Sequence, residues 1–300
     1  MKNLKSISYL VVLISLFSFV AAAFAIVKNQ GQRQYEFKSI FGESVPIYGK
    51  GLYQHDSIAM ATQAIAQDYV TLFLGIPLLI FALILTKRGL VKGRLLLTGI
   101  LGYFLYTYAS YSFLSMYNPM FLVYVMIMSA SFFAFTITMM SMDIPSLPRV
   151  FKESLPVKFI SGFLFVVSFV FGLMWLGKVV PSLINHTAPE GLEHYTTLII
   201  QALDLGFVVP VGVLAATLLM KRKPFGYLLA AIITFKDTTL LTALTAMVIL
   251  QVLTGIHINP VIIALIIIIN IIFILTMILI MKNVKEVTGT DHDNSKIQSY

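Results

Sequence analysis

Residues 227–251 read YLLAAIITFKDTTLLTALTAMVILQ, and this stretch decides the fold. It is long enough to cross a bilayer as a helix, yet Lys236, Asp237, Thr238 and Thr239 follow one another near its middle. A charged group at that depth costs roughly 2.5–3.5 kcal/mol on insertion scales. At about 100° per residue, four consecutive polar side chains occupy most of the helix circumference and leave no face for lipid. We therefore predict that this helix lies inside a bundle or is unwound at that level.

The composition is that of a membrane protein. The chain has 300 residues, of which 58% are hydrophobic and only 11% charged, and its mean hydropathy is +0.90. Soluble domains carry about 25% charged residues, so a water-soluble globule is excluded. The net charge of +8 does not indicate a nucleic-acid partner, because most basic residues lie in short segments between apolar runs. The absence of cysteine excludes thiol chemistry, including that of quinone–thiol oxidoreductases.

Eight apolar runs of spanning length predict an all-α, polytopic transmembrane bundle. They cover approximately residues 7–27, 67–86, 95–115, 119–141, 159–177, 196–219, 227–251 and 259–281. Most basic residues face the cytoplasm if both termini are cytoplasmic, so we predict a multi-pass cell-membrane protein in that orientation. The start, Met1–Ala25, also reads as a cleavable signal peptide. We favour its retention, because the run is long enough to span and has a counterpart in the second half.

Similar landmarks recur in the same order in the two halves. The pairs are Lys5-Ser-Ile-Ser8 with Lys158-Phe-Ile-Ser161, Asp68 with Asp204, Lys87-Arg88 with Lys221-Arg222, Gly93 with Gly226, and Asn118-Pro119 with Asn259-Pro260. Each of these residues is also common at the ends of unrelated membrane helices. Their common order predicts a parallel four-plus-four repeat. The predicted domains are a first repeat at 1–141 with an outer loop at 28–66, a second repeat at 142–284, and a disordered cytoplasmic tail at 285–300.

Seven polar residues in the spans are candidates for binding a substrate or a proton. They are Lys236, Asp237, Asp204, Gln201, Asp68, Tyr103 and Tyr106. At about 1.5 Å per residue, Asp204 and Lys236 lie at similar depths, so an ion pair between them is feasible and would leave Asp237 free. The functional interpretation is a polar cavity for a ligand or proton. The structural interpretation is an interhelical ion pair and hydroxyl bonds that hold the bundle together, and both stay open.

Asp68 begins its predicted span, so we expect it near the outer surface, where it need not be desolvated. Tyr103 and Tyr106 fall on one stripe of the third span, where tyrosines also serve as packing residues.

Gly75 with Pro77, and Gly206 with Pro210, are expected to loosen the second and sixth helices and to free backbone carbonyls for a ligand. Asn270, alone near the centre of an isoleucine-rich span, is expected to grip a neighbouring helix.

No cofactor or metal is predicted. His186, Glu190 and His194 are spaced by four, but Pro189 interrupts the helix that would align them. Walker, HExxH and GxSxG motifs are absent, and no histidine pair lies in a predicted span to hold haem. A retinal Schiff base on Lys236 is disfavoured by eight spans and a single tryptophan. The expected partners are the lipid bilayer and a small solute or ion, with no nucleic acid; the oligomeric state is not predicted.

Several motifs resemble those of a group of prokaryotic multi-span integral membrane proteins with no known activity. They are Gly51-Leu-Tyr53 with Asp56, Ala66-Gln-Asp68, Tyr106-Thr-Tyr-Ala-Ser-Tyr111, and Gln201-Ala-Leu-Asp-Leu-Gly206 with Pro210. The likeness covers most of residues 48–252. It implies a prokaryotic cell-membrane location and supplies no substrate or catalytic residue.

Three functions fit the sequence. The first is a transporter-like or permease-like protein for a small solute or ion, which requires a cavity reaching Asp204 and Asp237 from one aqueous side. The second is a membrane enzyme or ligand-binding sensor for a lipid or hydrophobic molecule, which requires a lateral opening. The third is a structural or assembly partner, which requires a tightly packed midplane with every charge paired.

Overall fold

A computed structural model of the protein describes residues 3–28, 31 and 33–286. Nine helices lie in these ranges: α1 Leu4–Val27, α2 Ile58–Lys87, α3 Val91–Leu114, α4 Phe121–Met140, α5 Leu147–Val150, α6 Val157–Asn185, α7 Ile199–Met220, α8 Pro224–Leu253 and α9 Pro260–Asn283. A 3₁₀ turn, Ile144–Ser146, precedes α5. The strands β1 (Tyr35–Lys38) and β2 (Ser44–Ile47) form an antiparallel hairpin.

Seven of the described helices, all except α3 and α5, are long and apolar enough to cross a membrane. The chain is therefore an all-α polytopic bundle, as the sequence predicts. The remaining long helix, α3, has 24 residues. It packs against α2, α4 and α8, and most of its residues are buried. Its tyrosine, serine and threonine side chains lower its hydropathy, and that burial makes a lipid-facing apolar surface unnecessary.

The helix α8 lies at the centre of the bundle, which confirms the prediction from residues 227–251. It packs against α2, α3, α7 and α9. In its most apolar 18-residue window 56% of the residues are buried, against 17% for α9 at the periphery. The close approach to α3 requires Gly99, because a Cβ there would lie 2.5 Å from Cβ of Phe235.

The helices α2 and α7 each contain a π-helical turn before a proline. These turns are Thr71–Gly75, ahead of Pro77, and Asp204–Val208, ahead of Pro210. A proline has no N–H to donate to the carbonyl four residues earlier. The preceding residue donates instead across five residues, from Ile76 to Thr71 O and from Val209 to Asp204 O. The predicted loosening is confirmed, and both helices remain continuous.

Two helices are longer than predicted. The second span was expected to start at residue 67, but α2 starts at Ile58, where the Ser57 hydroxyl accepts the Met60 N–H. The polar residues of this first part read as loop in the sequence, but they pack against α8. The outer loop therefore ends before residue 58 rather than at 66. Likewise α6 continues to Asn185, beyond the predicted end at 177.

Asn270 forms hydrogen bonds with α8, as predicted. Its side-chain carbonyl oxygen lies 3.3 Å from Oγ1 of Thr242, and its amide donates to Oγ1 of Thr245 at 3.2 Å. These bonds hold α9, whose other contacts with α8 are largely apolar, in register.

We call the end of the bundle that carries the β-hairpin the hairpin end. There the loops before α2 and α7 join: the Tyr195 hydroxyl donates to Oδ1 of Asp56 at 2.9 Å and accepts from the Ser57 N–H at 3.3 Å. The Met116 N–H also donates to Oδ1 of Asp56, at 3.0 Å. A buried carboxylate therefore links three loops.

We call the opposite end, where α1 begins and α9 stops, the terminal end. Two residues of the predicted disordered tail are ordered there: the Lys285 N–H donates to Val150 O, and the Glu286 carboxylate accepts from the Val91 and Lys92 N–H groups. The carboxylate satisfies donors left free at the N-terminus of α3, which is why the chain docks at this point. The rest of that tail, 287–300, lies outside the described residues.

Candidate functional site

A charged cluster lies at the middle of α8. Nζ of Lys236 is 2.7 Å from Oδ1 of Asp237 and 4.5 Å from the centre of the Tyr106 ring. This is the one ion pair in the described part of the chain. The expected Lys236–Asp204 ion pair is therefore wrong. Lys236 pairs with the next residue of its own helix, and Asp204 accepts hydrogen bonds from neutral donors instead.

Asp204, at the start of the π turn of α7, joins three helices. Its Oδ1 accepts from the Tyr106 hydroxyl of α3 at 2.7 Å, and its Oδ2 accepts from Nε1–H of Trp175 in α6 at 2.8 Å. It is 8% exposed. The next cation, Lys178, lies 6.0 Å from the Trp175 ring and forms no ion pair in the described residues. Two neutral donors thus hydrogen-bond to this carboxyl group, one to each oxygen.

A cavity of about 60 Å³ connects the two carboxylates. Its polar lining is Ser168, Asp204 and Asp237, and the rest of its wall is aliphatic or aromatic. One water needs about 10–15 Å³ on this measure, so the cavity holds a few waters or one small polar group. Oδ2 of Asp237 accepts no hydrogen bond from any described residue, whereas Oδ1 is taken by Lys236. Asp237 therefore offers the cavity a free oxygen.

The packing around the cavity is incomplete between α6 and α9. Around it α6 packs on α7, α7 on α8, and α8 on α9, but α6 and α9 have no comparable packing within the described ranges. They meet at Phe163 and Phe273, whose rings are 4.8 Å apart and close the gap towards the terminal end. By contrast, α1 packs along α4.

The mouth of this gap lies at mid-depth. Asp237 is near the middle of the 30-residue α8, roughly 20 Å from either end at about 1.5 Å per residue. The lining residues next to the mouth, Val167 and Leu240, are apolar and partly exposed. The cavity thus lies far from both ends of the bundle, among apolar side chains.

A second polar cluster surrounds Asp68 and corrects its predicted position. Asp68 is 1% exposed, and its carboxylate accepts from the hydroxyls of Tyr53 (2.7 Å) and Tyr111 (3.3 Å). Because α2 begins at Ile58, Asp68 lies ten residues inside the helix rather than at its start. The side chain of the loop residue Tyr53 is buried in the bundle, where its hydroxyl contacts Asp68.

Tyr103 belongs to this second cluster and does not reach the cavity. Its hydroxyl lies 3.2 Å from Oγ1 of Thr71 and accepts from the Gln67 side chain, which also donates to Thr107. Tyr103 and Tyr106, expected on one stripe of α3, therefore face different partners. Three residues offset the side chains by only about 60° around the helix and by about 4.5 Å along it, and here that offset brings them to different neighbours.

The remaining candidate, Gln201, is buried one turn before Asp204 but does not line the cavity. Thr238 and Thr239 donate to carbonyls of their own helix at 2.7 and 3.1 Å, which satisfies these hydroxyls without a ligand.

Sequence reasoning missed three residues that shape the two clusters: Trp175, Ser168 and Tyr53. Trp175 carried a signal, since it is the single tryptophan of the chain and lies in a predicted span. Tyr53 stands in the Gly51-Leu-Tyr53 motif of the resemblance, which gave it no role. Ser168 carried no signal, because a serine in a span is ordinary.

The fold and the charged cluster define a polytopic helical membrane protein with ionisable groups buried between its helices. Comparison with protein-family models, with curated proteins and with solved structures gives no match. Function must therefore be argued from the geometry of the cluster.

Proposed function

We propose that the protein is transporter-like or permease-like and that it binds a small cation or a proton at Asp204, Lys236 and Asp237. The observation that carries this proposal is the charge balance of the cluster. Asp204 and Asp237 line a cavity deep in the bundle, and the one ammonium group, on Lys236, pairs with Asp237 without lining the cavity. The fully ionised cluster therefore has an excess negative charge. An unbalanced charge is costly in an apolar medium, and a proton or a bound cation removes that cost.

The geometry around each carboxylate supports a cation as the ligand. Asp237 has one oxygen free, and among the described residues Asp204 accepts only from the neutral donors of Tyr106 and Trp175. Aromatic rings beside a cavity also favour cations, as the Tyr106 ring already does for Lys236.

An eight-span architecture goes with this proposal, with α3 as the additional span. Its 24 residues are long enough to cross, and its position among α2, α4 and α8 supplies the burial that its polar residues need. With eight spans both termini lie on one side. The basic residues between the apolar runs favour the cytoplasm for that side and the cell membrane as the location.

A parallel four-plus-four repeat is the second architectural proposal. It is supported by the two π turns and by the turns that follow α2 and α7, whose bonds recur 133 positions apart (221 against 88). The N–H groups of Arg88, Gly89 and Leu90 donate to carbonyls of Ile84, Thr86 and Leu85, and those of Lys221, Arg222 and Lys223 donate to carbonyls of Thr217, Leu219 and Leu218. In this alignment Phe104, fully buried, stands where the second half has Asp237.

One observation favours a second candidate function. The mouth between α6 and α9 is the lateral opening expected of a membrane enzyme or sensor for a lipid or hydrophobic molecule. The site offers carboxylates and a lysine but no nucleophile with a partnered base, so ligand binding fits it better than catalysis.

Charge movement in reconstituted membranes tests the proposal. Proteoliposomes on a solid-supported electrode are exposed to jumps of pH and of methylammonium concentration. We expect a transient current in the wild type for at least one of the two cations, and its loss in Asp204→Asn and Asp237→Asn. The matched substitution Asp143→Asn, on an exposed loop, should keep the current. A wild type without a current for either cation contradicts the proposal.

A further inference from the structure

We propose that the ligand is an amphipathic monocation, with one ammonium group and a hydrocarbon chain, which enters from the lipid phase between α6 and α9. This inference rests on the proposed function and gives the substrate class of the same site.

The lining of the cavity requires an apolar part in the ligand. Apart from Ser168, Asp204 and Asp237, its wall consists of leucine, isoleucine, valine and phenylalanine side chains contributed by α6, α7, α8 and α9. A fully hydrophilic cation would lose its hydration against this wall with few polar groups to replace it. A hydrocarbon chain gains about 0.8 kcal/mol for each methylene that the wall removes from water.

The carboxylates fix the position of the ammonium group. Oδ2 of Asp237 is the free acceptor, and Asp204 adds a second negative charge at the same cavity. Lys236 occupies the other side of Asp237, beneath the Tyr106 ring, so the ligand approaches from the cavity side. A negatively charged ligand is disfavoured by both carboxylates.

The size of the cavity places the chain of the ligand in the gap. About 60 Å³ holds an ammonium group with a short stretch of chain and no more. The Phe163–Phe273 contact blocks the gap towards the terminal end. A longer chain therefore extends sideways between α6 and α9.

The outward faces of α6 and α9 are lipid-like. Phe169 and Val170 of α6 are 55% and 47% exposed, and Ile271 and Leu275 of α9 are 50% and 53% exposed. In a bundle whose helices span a membrane, such surfaces contact acyl chains. A ligand dissolved in the bilayer thus reaches the mouth without crossing water.

Trp175 provides a reporter, since it is the single tryptophan and donates to Asp204. The protein in phosphatidylcholine nanodiscs is titrated with decylammonium, methylammonium and 1-decanol while the emission of Trp175 is recorded. We expect a saturable change with decylammonium at a concentration at least tenfold below that for methylammonium. With 1-decanol we expect no saturation, because it has the chain without the charge.

Two variants test separately the charge of Asp237 and the entry of the ligand between α6 and α9. Asp237→Asn should raise the half-saturating concentration of decylammonium at least tenfold. Val167→Phe should do the same by filling the mouth while leaving the Lys236–Asp237 pair intact, so it tests the site even if Asp237→Asn fails to fold. Asp143→Asn should bind like the wild type. Partition of the probe into lipid is the same for all variants and cancels in the comparison.

Other outcomes overturn the inference in distinguishable ways. Equal binding of methylammonium and decylammonium, lost in Asp237→Asn, would leave the cation site standing and refute entry from lipid. Unchanged binding in Val167→Phe would also refute the route. Saturation by 1-decanol equal to that by decylammonium, or no saturation with either cation, would refute both the amphipathic cation and the proposed function.

Discussion

Nε1–H of Trp175 in α6 donates a 2.8 Å hydrogen bond to Oδ2 of Asp204 in α7. The other carboxylate oxygen accepts from the Tyr106 hydroxyl in α3, so Asp204 links α6 and α7 to α3. Hydrogen bonds to both oxygens fix the orientation of the carboxyl group. This arrangement positions Asp204 at the cavity wall.

Asp204→Ala should therefore change both stability and the Trp175 signal. Two buried donors, on Tyr106 and Trp175, lose their acceptor, which we expect to cost about 2–3 kcal/mol of unfolding free energy. The emission of Trp175 should shift to shorter wavelength, because the carboxylate beside its N–H is gone. Thermal unfolding and emission spectra in detergent measure the two effects. An unshifted spectrum would contradict the hydrogen bond, and Asp143→Asn serves as the unshifted control.

Gly99→Ala should destabilise the bundle by about 1–3 kcal/mol, because its Cβ would overlap Phe235 at the crossing of α3 and α8. The matched control is Gly162→Ala in α6, where a Cβ meets nothing within 4 Å. Alanine there should be neutral or stabilising by up to about 1 kcal/mol, through its better helix propensity. The two melting temperatures give the comparison. Equal shifts would show that the helix crossing is less tight than described.

Asp56 should make stability fall as pH rises through about 4 to 6. Burial raises its pKa from 3.8 to about 6; the hydrogen bonds from Met116 and Tyr195 oppose this rise, and nearby Glu193 adds to it. Between the two pKa values the folded state binds more protons than the unfolded state, so raising the pH favours unfolding. The full effect is about 3 kcal/mol.

Asp56→Asn tests this dependence, since it removes the titrating group while keeping the shape. The difference in unfolding free energy between wild type and variant should vary with pH between about 4 and 6 and be flat above about 7. Parallel curves across that window would show that Asp56 does not titrate with a raised pKa.

Glu286→Ala should loosen the terminal end. The carboxylate accepts from Val91 N–H at 2.8 Å and Lys92 N–H at 3.0 Å, so its removal leaves the first turn of α3 uncapped. We expect a loss of about 1 kcal/mol and roughly fivefold faster hydrogen exchange at these two amides. Glu153→Ala, at an exposed position, should leave the exchange unchanged. Equal exchange in both variants would contradict the docking of Glu286.

Local chemistry explains the successful sequence predictions. Consecutive polar residues at the centre of 227–251 exclude a lipid-facing helix whatever surrounds it, and α8 is the most buried of the seven apolar helices. Pro77 lacks an N–H in any fold, so a loosened turn before it follows from covalent structure. Asn270 in an isoleucine run has to find a polar partner.

The failed predictions concern partners rather than residues. Lys236 was expected to pair with Asp204 and pairs with Asp237; Asp68 was expected at the surface and is buried beneath Tyr53. For Asp68 the depth was wrong, because α2 begins at Ile58. For Lys236 and Asp204 the estimated depths were similar, but similar depth does not make a pair. Rotation of each helix about its axis was not available, and rotation decides which side chains meet.

The sequence by itself determined that this chain is a bundle of apolar helices with charges near the middle, because hydrophobic length and the cost of burying charge are properties of single segments. Only the tertiary structure decided that Trp175 holds Asp204 and that α6 and α9 part beside Asp237. Those features arise where separate helices face one another, and such contacts depend on packing geometry that no single segment encodes.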